Sequence, residues 1–326
     1  MNSSSCIAIT GAAGFIASYL VGLLNKSGFE NLILVDKFDV PSKAGNLVGK
    51  AFERKIDREE FIDWAEENPG KIDYIFHLGA RTDTTEMDYE VHRKWNLEYS
   101  KSVWEICTTQ NIPLVYASSA ATYGDGELGY SDRLENFQDL RPLNPYGQSK
   151  QDFDVWAAGQ TYHPPFWAGV KLFNVYGPNE YHKGRMASVI LHAFRQIKDH
   201  GGMKLFRSHN PNYKDGGQMR DFVYVRDVLN VCLWLMEKQP ASGLYNAGSG
   251  TARSFLDLAK AIFKAMDKPE NISFIDTPLD IRDKYQYFTE AEMQKVRDAG
   301  FSKTTYSLEE GVKEYVQGYL EHNRYF

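Results

Sequence analysis

The stretch Gly11-Ala12-Ala13-Gly14-Phe15-Ile16-Ala17 narrows what this chain can build more than any other. An apolar run, Cys6–Thr10, precedes it at strand length, and Phe15–Lys26 follows with the apolar spacing of a helix. Glycine lets the backbone reverse sharply between the two and approach a ligand with no side chain in the way. The turn also aims the positive end of a helix at that ligand, so a pyrophosphate is its natural occupant. Ala17 stands where a third glycine would ordinarily allow close helix–strand packing, and it is one methyl larger. A glycine turn alone could be no more than a tight turn. The strand before it, the helix after it, and Asp36 ending a second strand weigh against that reading.

The pattern continues in kind. Further strands are expected at Asn31–Val35, Asp73–Leu78, Leu114–Ser118 and Trp167–Phe173, with helices at Glu59–Glu67, Val91–Gln110 and Tyr146–Thr161 between them. Strands apolar on both faces, alternating with amphipathic segments, predict a parallel sheet covered on both sides. The fold class is therefore α/β, a Rossmann-type doubly wound sheet. The second half is less regular. Helices are expected at Val189–Lys198, Val225–Lys238, Phe255–Met266, Glu290–Asp298 and Leu308–His322, with short strands at Lys204–Phe206, Asp221–Tyr224 and Ile272–Asp276. No Pro/Gly/Ser linker separates the halves. The expectation is a dinucleotide-binding domain over 1–175 and a smaller, interleaved α/β lobe, mainly substrate-binding, over 176–326.

Charge and cysteine content exclude several classes. A net charge of −6 gives no global field for nucleic acid or an anionic membrane, so a phosphate must be held by local donors. Cys6, Cys107 and Cys232 are far apart and form no CxxC pair, which argues against a disulfide framework or a zinc site and fits a reducing compartment. The eight histidines are scattered without ligand spacing, and no metal is expected. Met1-Asn2-Ser3-Ser4-Ser5 lacks the basic-then-apolar pattern of a secretory signal, and no run is long enough to span a bilayer. A cytoplasmic protein is expected.

Asp36 would bond ribose hydroxyls and repel a 2′-phosphate, but Lys37 and Lys43 follow and could compensate that phosphate. A solvated lysine pair is an equal reading. Asp57 could cap the helix after it or meet an adenine edge.

Tyr146-Gly147-Gln148-Ser149-Lys150 puts a tyrosine and a lysine one turn apart on a single helix face. Tyrosine titrates near pH 10, too high for a base at neutral pH. A cation about 4 Å from the phenolate contributes roughly 4 kcal/mol at an effective dielectric near 20, or about three pKa units before desolvation. Such a pair occurs often on helix surfaces. Its weight comes from Tyr116-Ala117-Ser118-Ser119-Ala120-Ala121-Thr122-Tyr123-Gly124, small polar residues at the C-terminal edge of a parallel strand, where such sheets bind ligands. Ser119 can hold a hydroxyl beside Tyr146, and strand-end capping is the plainer alternative.

Taken together, Gly11/Gly14, Phe76-His77-Leu78-Gly79-Ala80, Asn96, Ser119, Tyr146/Lys150 and Asn174-Val175-Tyr176-Gly177-Pro178 resemble the extended short-chain dehydrogenase/reductases over nearly the whole chain. The resemblance implies hydride chemistry on a nucleotide sugar, a tightly bound nicotinamide cofactor (NADP, with NAD the alternative) and a homo-oligomer. It assigns the cofactor to Gly11, Gly14, Phe15, Ile16, Asp36, Lys37, Lys43, Asp57, Leu78, Gly79, Ala80, Asn96, Tyr146, Lys150 and Val175.

Within that family, dehydratases carry an acidic residue beside the active-site Ser/Thr, where this chain has Ala120 and Ala121. The 4-epimerases work with a single tyrosine. The chain is instead similar to the branch that epimerises ADP-heptose at C6 for lipopolysaccharide, through Ala117–Gly124, His182-Lys183-Gly184, Met186-Ala187-Ser188, Arg220–Val225, Tyr285-Gln286 and Phe288-Thr289. That likeness implies Ser119, Tyr146, Lys150 and Lys183 as catalytic, with Lys183 a second acid/base opposite Tyr146. It places Ser119, Asn174, Lys183, Arg185, His192, Phe206, Arg220 and Tyr285 on the sugar nucleotide. Arg220 suits a diphosphate fork, with an ion pair to Asp221 or another acid as the plainer reading. For Lys183 the plainer reading is a solvated loop charge. Arg185 departs from a small serine in that branch, and the loop His209–Met219 is longer than expected. The competing functions are another nucleotide-sugar epimerase or reductase and a cofactor-sensing protein. Retention of Tyr146, Lys150 and Ser119 argues against the last.

Overall fold

A computed structural model describes residues 1–282 and 286–326. Seven parallel strands form its main sheet. In chain order the first half runs β1 (Ile7–Thr10), α1 (Phe15–Lys26), β2 (Leu32–Asp36), β3 (Arg54–Asp57), α2 (Phe61–Glu67), β4 (Tyr74–His77), α3 (Tyr89–His92), α4 (Tyr99–Thr109), β5 (Leu114–Ser119), α5 (Pro145–Ala158) and β6 (Trp167–Leu172). The second half adds β7 (Asn174–Tyr176), α6 (Val189–His200), β8 (Met203–Phe206), β9 (Met219–Arg220), β10 (Phe222–Tyr224), α7 (Val225–Lys238) and β11 (Gly243–Ala247).

The sheet order is β11-β6-β5-β4-β1-β2-β3. The chain steps outward from β1 in one direction and then returns to the other side through β4. The crevice at the C-terminal ends of β1 and β4 is therefore the switch point where such sheets take ligands. Period-two alternation divides the strands between two cores. Ile7, Ile9, Leu32 and Leu34 face α1 and α7, while Ala8, Ile33 and Val35 face α2, α4 and α5. Both faces are covered, which is why these strands read as continuous apolar runs.

The structure differs from the sequence expectation in three places. The expected helix Val91–Gln110 is broken: α3 passes through a π-helical turn, Arg93–Glu98, into α4, and that turn carries Asn96. Such turns arise where a helix is reshaped around a site. The edge strand β3 has Arg54 and Lys55 exposed and only Ile56 buried, so it carries no apolar run to detect. β11 belongs to the main sheet although it lies far along the chain, pairing with β6 from Gly243↔Ala168 to Ala247↔Leu172. Small two-stranded sheets form the other lobe: β7 with β10, β8 with Ile272–Ile275, and β9 with Arg253–Ser254.

Candidate active site

Gly11 sits at φ +68°, and a Cβ there would meet the Gly79 Cα at 2.6 Å. Only glycine lets the loops after β1 and β4 close on each other at the switch point. Gly14 is the N-cap of α1 and offers no side-chain cap, so the first-turn N–H groups are left for a ligand. A groove of about 400 Å³ opens there, lined by Gly11, Gly14, Phe15 and Ile16 on one side and Leu78, Gly79 and Ala80 on the other.

Asp36 is buried and accepts from the Ala13 N–H (2.9 Å), the Lys37 N–H (2.7 Å) and the Lys43 ammonium (3.0 Å). Its charge is thus tied to the glycine turn and offset by Lys43, which lines the groove. The Lys37 ammonium points elsewhere, 3.7 Å from Asp39 at the surface. Asp57 accepts from the Glu59 N–H (2.9 Å) in the turn before α2, whose N-cap is Glu60 and not Asp57. Its neighbour Arg58 lies 3.8 Å over the Trp95 ring, both lining the groove, and the buried Arg58 Nε has no hydrogen-bond partner.

Asn96 is fully buried. Its carbonyl accepts from the Arg81 N–H (2.7 Å), and its amide donates to the Arg81 carbonyl (3.0 Å) and Ser149 Oγ (3.0 Å). It therefore braces the strand end after β4 against α5. Asn144 and Pro145 set where α5 begins: the Asn144 side chain accepts from the Gly147 N–H (2.8 Å), and proline suits the first helical position. Tyr146, Lys150 and Asp154 then fall on one face at successive turns.

Ser119 Oγ accepts from the Ala121 N–H (3.1 Å), and its side chain neighbours Tyr146. Burial raises the Tyr146 pKa, the Ser119 side chain lowers it, and Asp154 raises it again. The Lys150 ammonium donates to the Ala117 carbonyl (2.9 Å). Burial lowers Lys150 itself to about 8, with the Asp154 carboxylate opposing. Asp154 also accepts from Ser118 Oγ (2.6 Å), Tyr116 OH (3.0 Å) and the Lys171 ammonium (2.7 Å), all buried. His77 lies between Thr10 Oγ (2.7 Å) and Ser100 Oγ (2.9 Å), and burial with the Lys150 charge lowers it to about 3, so it is neutral.

Lys183 comes from a separate element, the short 3₁₀ turn Tyr181–Met186. Its ammonium reaches the groove 5.9 Å from the Phe15 ring centroid. Burial lowers its pKa and Glu180 opposes. That is not the environment of a solvated loop charge. Glu180 is itself buried and accepts from Ser188 Oγ (2.6 Å), closing the base of the loop.

Among the residues assigned to a substrate, Arg220 is buried, donates to the Met219 carbonyl (2.9 Å) and the Gln286 carbonyl, and lies 5.7 Å from the Phe255 ring centroid. Asp221 turns away, accepting from the Ser249 (2.7 Å), Gly250 (3.0 Å) and Ala291 (3.0 Å) N–H groups. Asn174 is exposed on β7, paired in register with Phe222, and Val175 is paired with Val223. Phe206 ends β8. Arg185 is exposed, with His192 Nε2 3.4 Å from its carbonyl. Tyr285 lies outside the described residues. Loop residue His209 donates its N–H to Tyr287 OH (3.1 Å), tying the long loop to Tyr287. Among the described residues no group of His, Cys, Asp or Glu could hold a metal ion, and no helix is long and apolar enough to cross a membrane.

The model of the NAD dependent epimerase/dehydratase family matches residues 7–248. The chain belongs to that family. Relatives named ADP-L-glycero-D-manno-heptose-6-epimerase are 46% identical over nearly full length. One from Fusobacterium nucleatum covers 96% of this chain and 98% of its own. Another, from Nitratidesulfovibrio vulgaris, covers 96% and 97%. The crystal structure of the Helicobacter pylori protein of the same name superimposes with a TM-score of 0.82 at 28% identity, covering 97% of this chain and 96% of that one. A UDP-N-acetylglucosamine 4-epimerase from Methanobrevibacter ruminantium has the same TM-score of 0.82 at 20% identity and shares the fold.

As an epimerase/dehydratase family member the chain requires a nicotinamide cofactor, and the groove suits one. The Gly11–Gly79 approach admits backbone but no side chain, and the unpartnered Arg58 Nε sits at the far end. Arg58, Trp95 and Asp154 went unrecognised in the sequence. For Arg58 a signal existed: it follows a strand end in register with Asp36, but β3 itself was not visible. Asp154 sits one helical turn beyond Lys150, a spacing that could have flagged it.

Proposed function

We propose that this chain epimerises ADP-D-glycero-D-manno-heptose to ADP-L-glycero-D-manno-heptose at heptose C6, with NADP as its cofactor, supplying heptose for lipopolysaccharide. The full-length relatives of that name support the substrate. The structural observation that carries the reading is Lys183, part-buried in the groove on an element of its own, apart from Tyr146, Lys150 and Ser119 on α5 and β5.

A nicotinamide cofactor held by Gly11, Gly14, Gly79 and Arg58 would supply reversible hydride transfer at C6. The chain's own groups manage the proton on the C6 oxygen. Ser119 holds that hydroxyl beside Tyr146, and Tyr146 accepts its proton in one orientation of the sugar. The Lys150 cation favours the phenolate of Tyr146 once substrate excludes water from the site. Lys183 serves the other orientation, its pKa lowered by burial. Arg220 would hold the diphosphate, and Asn174, His192 and Arg185 the sugar side.

NADP is favoured over NAD by the cations at the end of the groove. Asp36, which would repel a 2′-phosphate, is already neutralised by Lys43, and Arg58 stands over Trp95 beside it.

Purified protein incubated with ADP-D-glycero-D-manno-heptose should yield the L-glycero epimer, with no turnover of UDP-glucose. Conversion of UDP-glucose to UDP-galactose instead would overturn the substrate assignment. In deuterated water the product C6 should carry no solvent deuterium, since the hydrogen never leaves as a proton. Label at C6 would mean enolisation.

A further inference from the structure

The residues Arg324-Tyr325-Phe326 touch α1, the segment Pro41–Leu47 and the N-terminal flank of the Lys183 turn. The Phe326 ring stacks on Tyr19 of α1 at 3.7 Å between centroids and 7° between planes. Lys26 of the same helix lies 3.9 Å over its other side. The ring is seated against Gly22, where a Cβ would come within 2.8 Å of it. Tyr325 is seated in the same way against Gly45, in the 3₁₀ segment Pro41–Leu47 that carries Lys43.

The contacts to the Lys183 loop are polar and specific. The Phe326 N–H donates to the Asn179 side chain (2.9 Å), and the Tyr181 hydroxyl donates to the Arg324 carbonyl (2.7 Å). Tyr181 and Tyr325 meet edge to face at 5.0 Å. Asn179 is fully buried at φ +78°, a conformation that few non-glycine residues hold without outside support. Its amide donates to Ser18 Oγ of α1 (3.0 Å). Asn46 completes the ring of contacts, donating to the Ala13 carbonyl (2.9 Å) in the glycine turn and to the Asn179 carbonyl (3.1 Å). The turn bearing Lys183 is held through Glu180 to Ser188, through His182 to Asn46 (3.3 Å) and through Met186 to Thr84 (3.4 Å). Its N-terminal flank, Asn179 and Tyr181, is bonded to 324–326.

We infer that Tyr325 and Phe326 are positioning residues for Lys183: they clamp its loop to α1 and to the Lys43 segment, setting where the ammonium stands in the groove. The inference rests on the reading of Lys183 as an acid/base for its catalytic consequence, but not for its structural one.

The test uses the full chain with its cofactor and the double variant Tyr325→Ala/Phe326→Ala, beside the conservative variants Tyr325→Phe and Phe326→Tyr. Hydrogen exchange of the amides in 181–187 should become about tenfold faster in the double variant, with 11–17 and 145–158 unchanged. The kcat for epimerisation should fall by roughly 10- to 100-fold, as for a displaced catalytic group, with KM for the nucleotide sugar little changed. Both conservative variants should restore wild-type exchange and kcat. Unchanged exchange in 181–187 would overturn the clamp whatever the kinetics. Faster exchange with wild-type kcat would overturn the acid/base reading of Lys183 instead. If the double variant does not fold, Tyr325→Ala alone is judged by the same two readouts, because that ring is 40% exposed and its loss spares the core.

Discussion

Lys150 and Lys183 are two lysines whose pKa burial lowers within one active site, but they are held by opposite kinds of structure. Lys150 is on a capped fourteen-residue helix, and its ammonium is fixed by a carbonyl of the neighbouring strand. Its position follows from helix periodicity and from α5 packing beside β5. Lys183 is on a six-residue turn, and what fixes it comes from α1, the 41–47 segment, Glu180 and residues 324–326. A group on a regular element inherits its place from local sequence. A group on a turn borrows its place from whatever packs around it.

The strongest test of that contrast is to remove each proton-transfer group in turn. Tyr146→Phe and Lys183→Met should each lower kcat for epimerisation by roughly 10²–10⁴-fold, with cofactor retained, because neither belongs to the glycine turn or the core. Lys183→Met should still allow one epimer to reduce the bound cofactor without completing turnover. Near wild-type epimerisation by Lys183→Met would leave a single-base enzyme and dissolve the comparison.

The helix side can be broken separately. Asp154→Asn leaves Lys171 buried without its anionic partner, and should destabilise the fold by about 3–5 kcal/mol in chemical denaturation. It also removes the anion that holds Lys150 protonated against burial. The cationic form of Lys150 is then lost at a lower pH, so the alkaline limb of the kcat profile should move toward acid. An alkaline limb that stays in place would mean that Lys150 does not set it. Glu180→Gln, the corresponding change beneath Lys183, should leave that limb unmoved.

The smallest expected effect concerns cofactor choice. Lys43→Met and Arg58→Met should each weaken NADP binding by about tenfold, the loss of one charge-assisted contact, while NAD binding changes little. Reconstitution of cofactor-free protein followed by fluorescence titration measures both. A tenfold preference of the unaltered protein for NAD would reject the assignment.

What could be read from the chain divides along the same line. The glycine turn, Asp36 and the Tyr146–Lys150 pair were legible because each is a short pattern on one element, and α1 and α7 matched their expected bounds. The edge strand β3, and with it Arg58, was not, because an edge strand with exposed Arg54 and Lys55 has no apolar alternation to find. The break of the 91–110 helix at Asn96 was invisible for a different reason. Its cause is a set of bonds from Asn96 to Arg81 and Ser149, residues 15 and 53 positions away.

The sequence by itself determined that a glycine turn would join β1 to α1, since strand, turn and helix are consecutive and their geometry is local. It also determined that a tyrosine and a lysine would share a helix face, because 3.6 residues per turn leaves no choice. Only the tertiary structure decided that Lys150 would bond the Ala117 carbonyl, that Asp154 would pair with Lys171, and that Lys183 would be part-buried in the groove near Phe15. Each of these depends on desolvation and on partners distant in the chain, and the energy of a buried charge is set by what surrounds it in space.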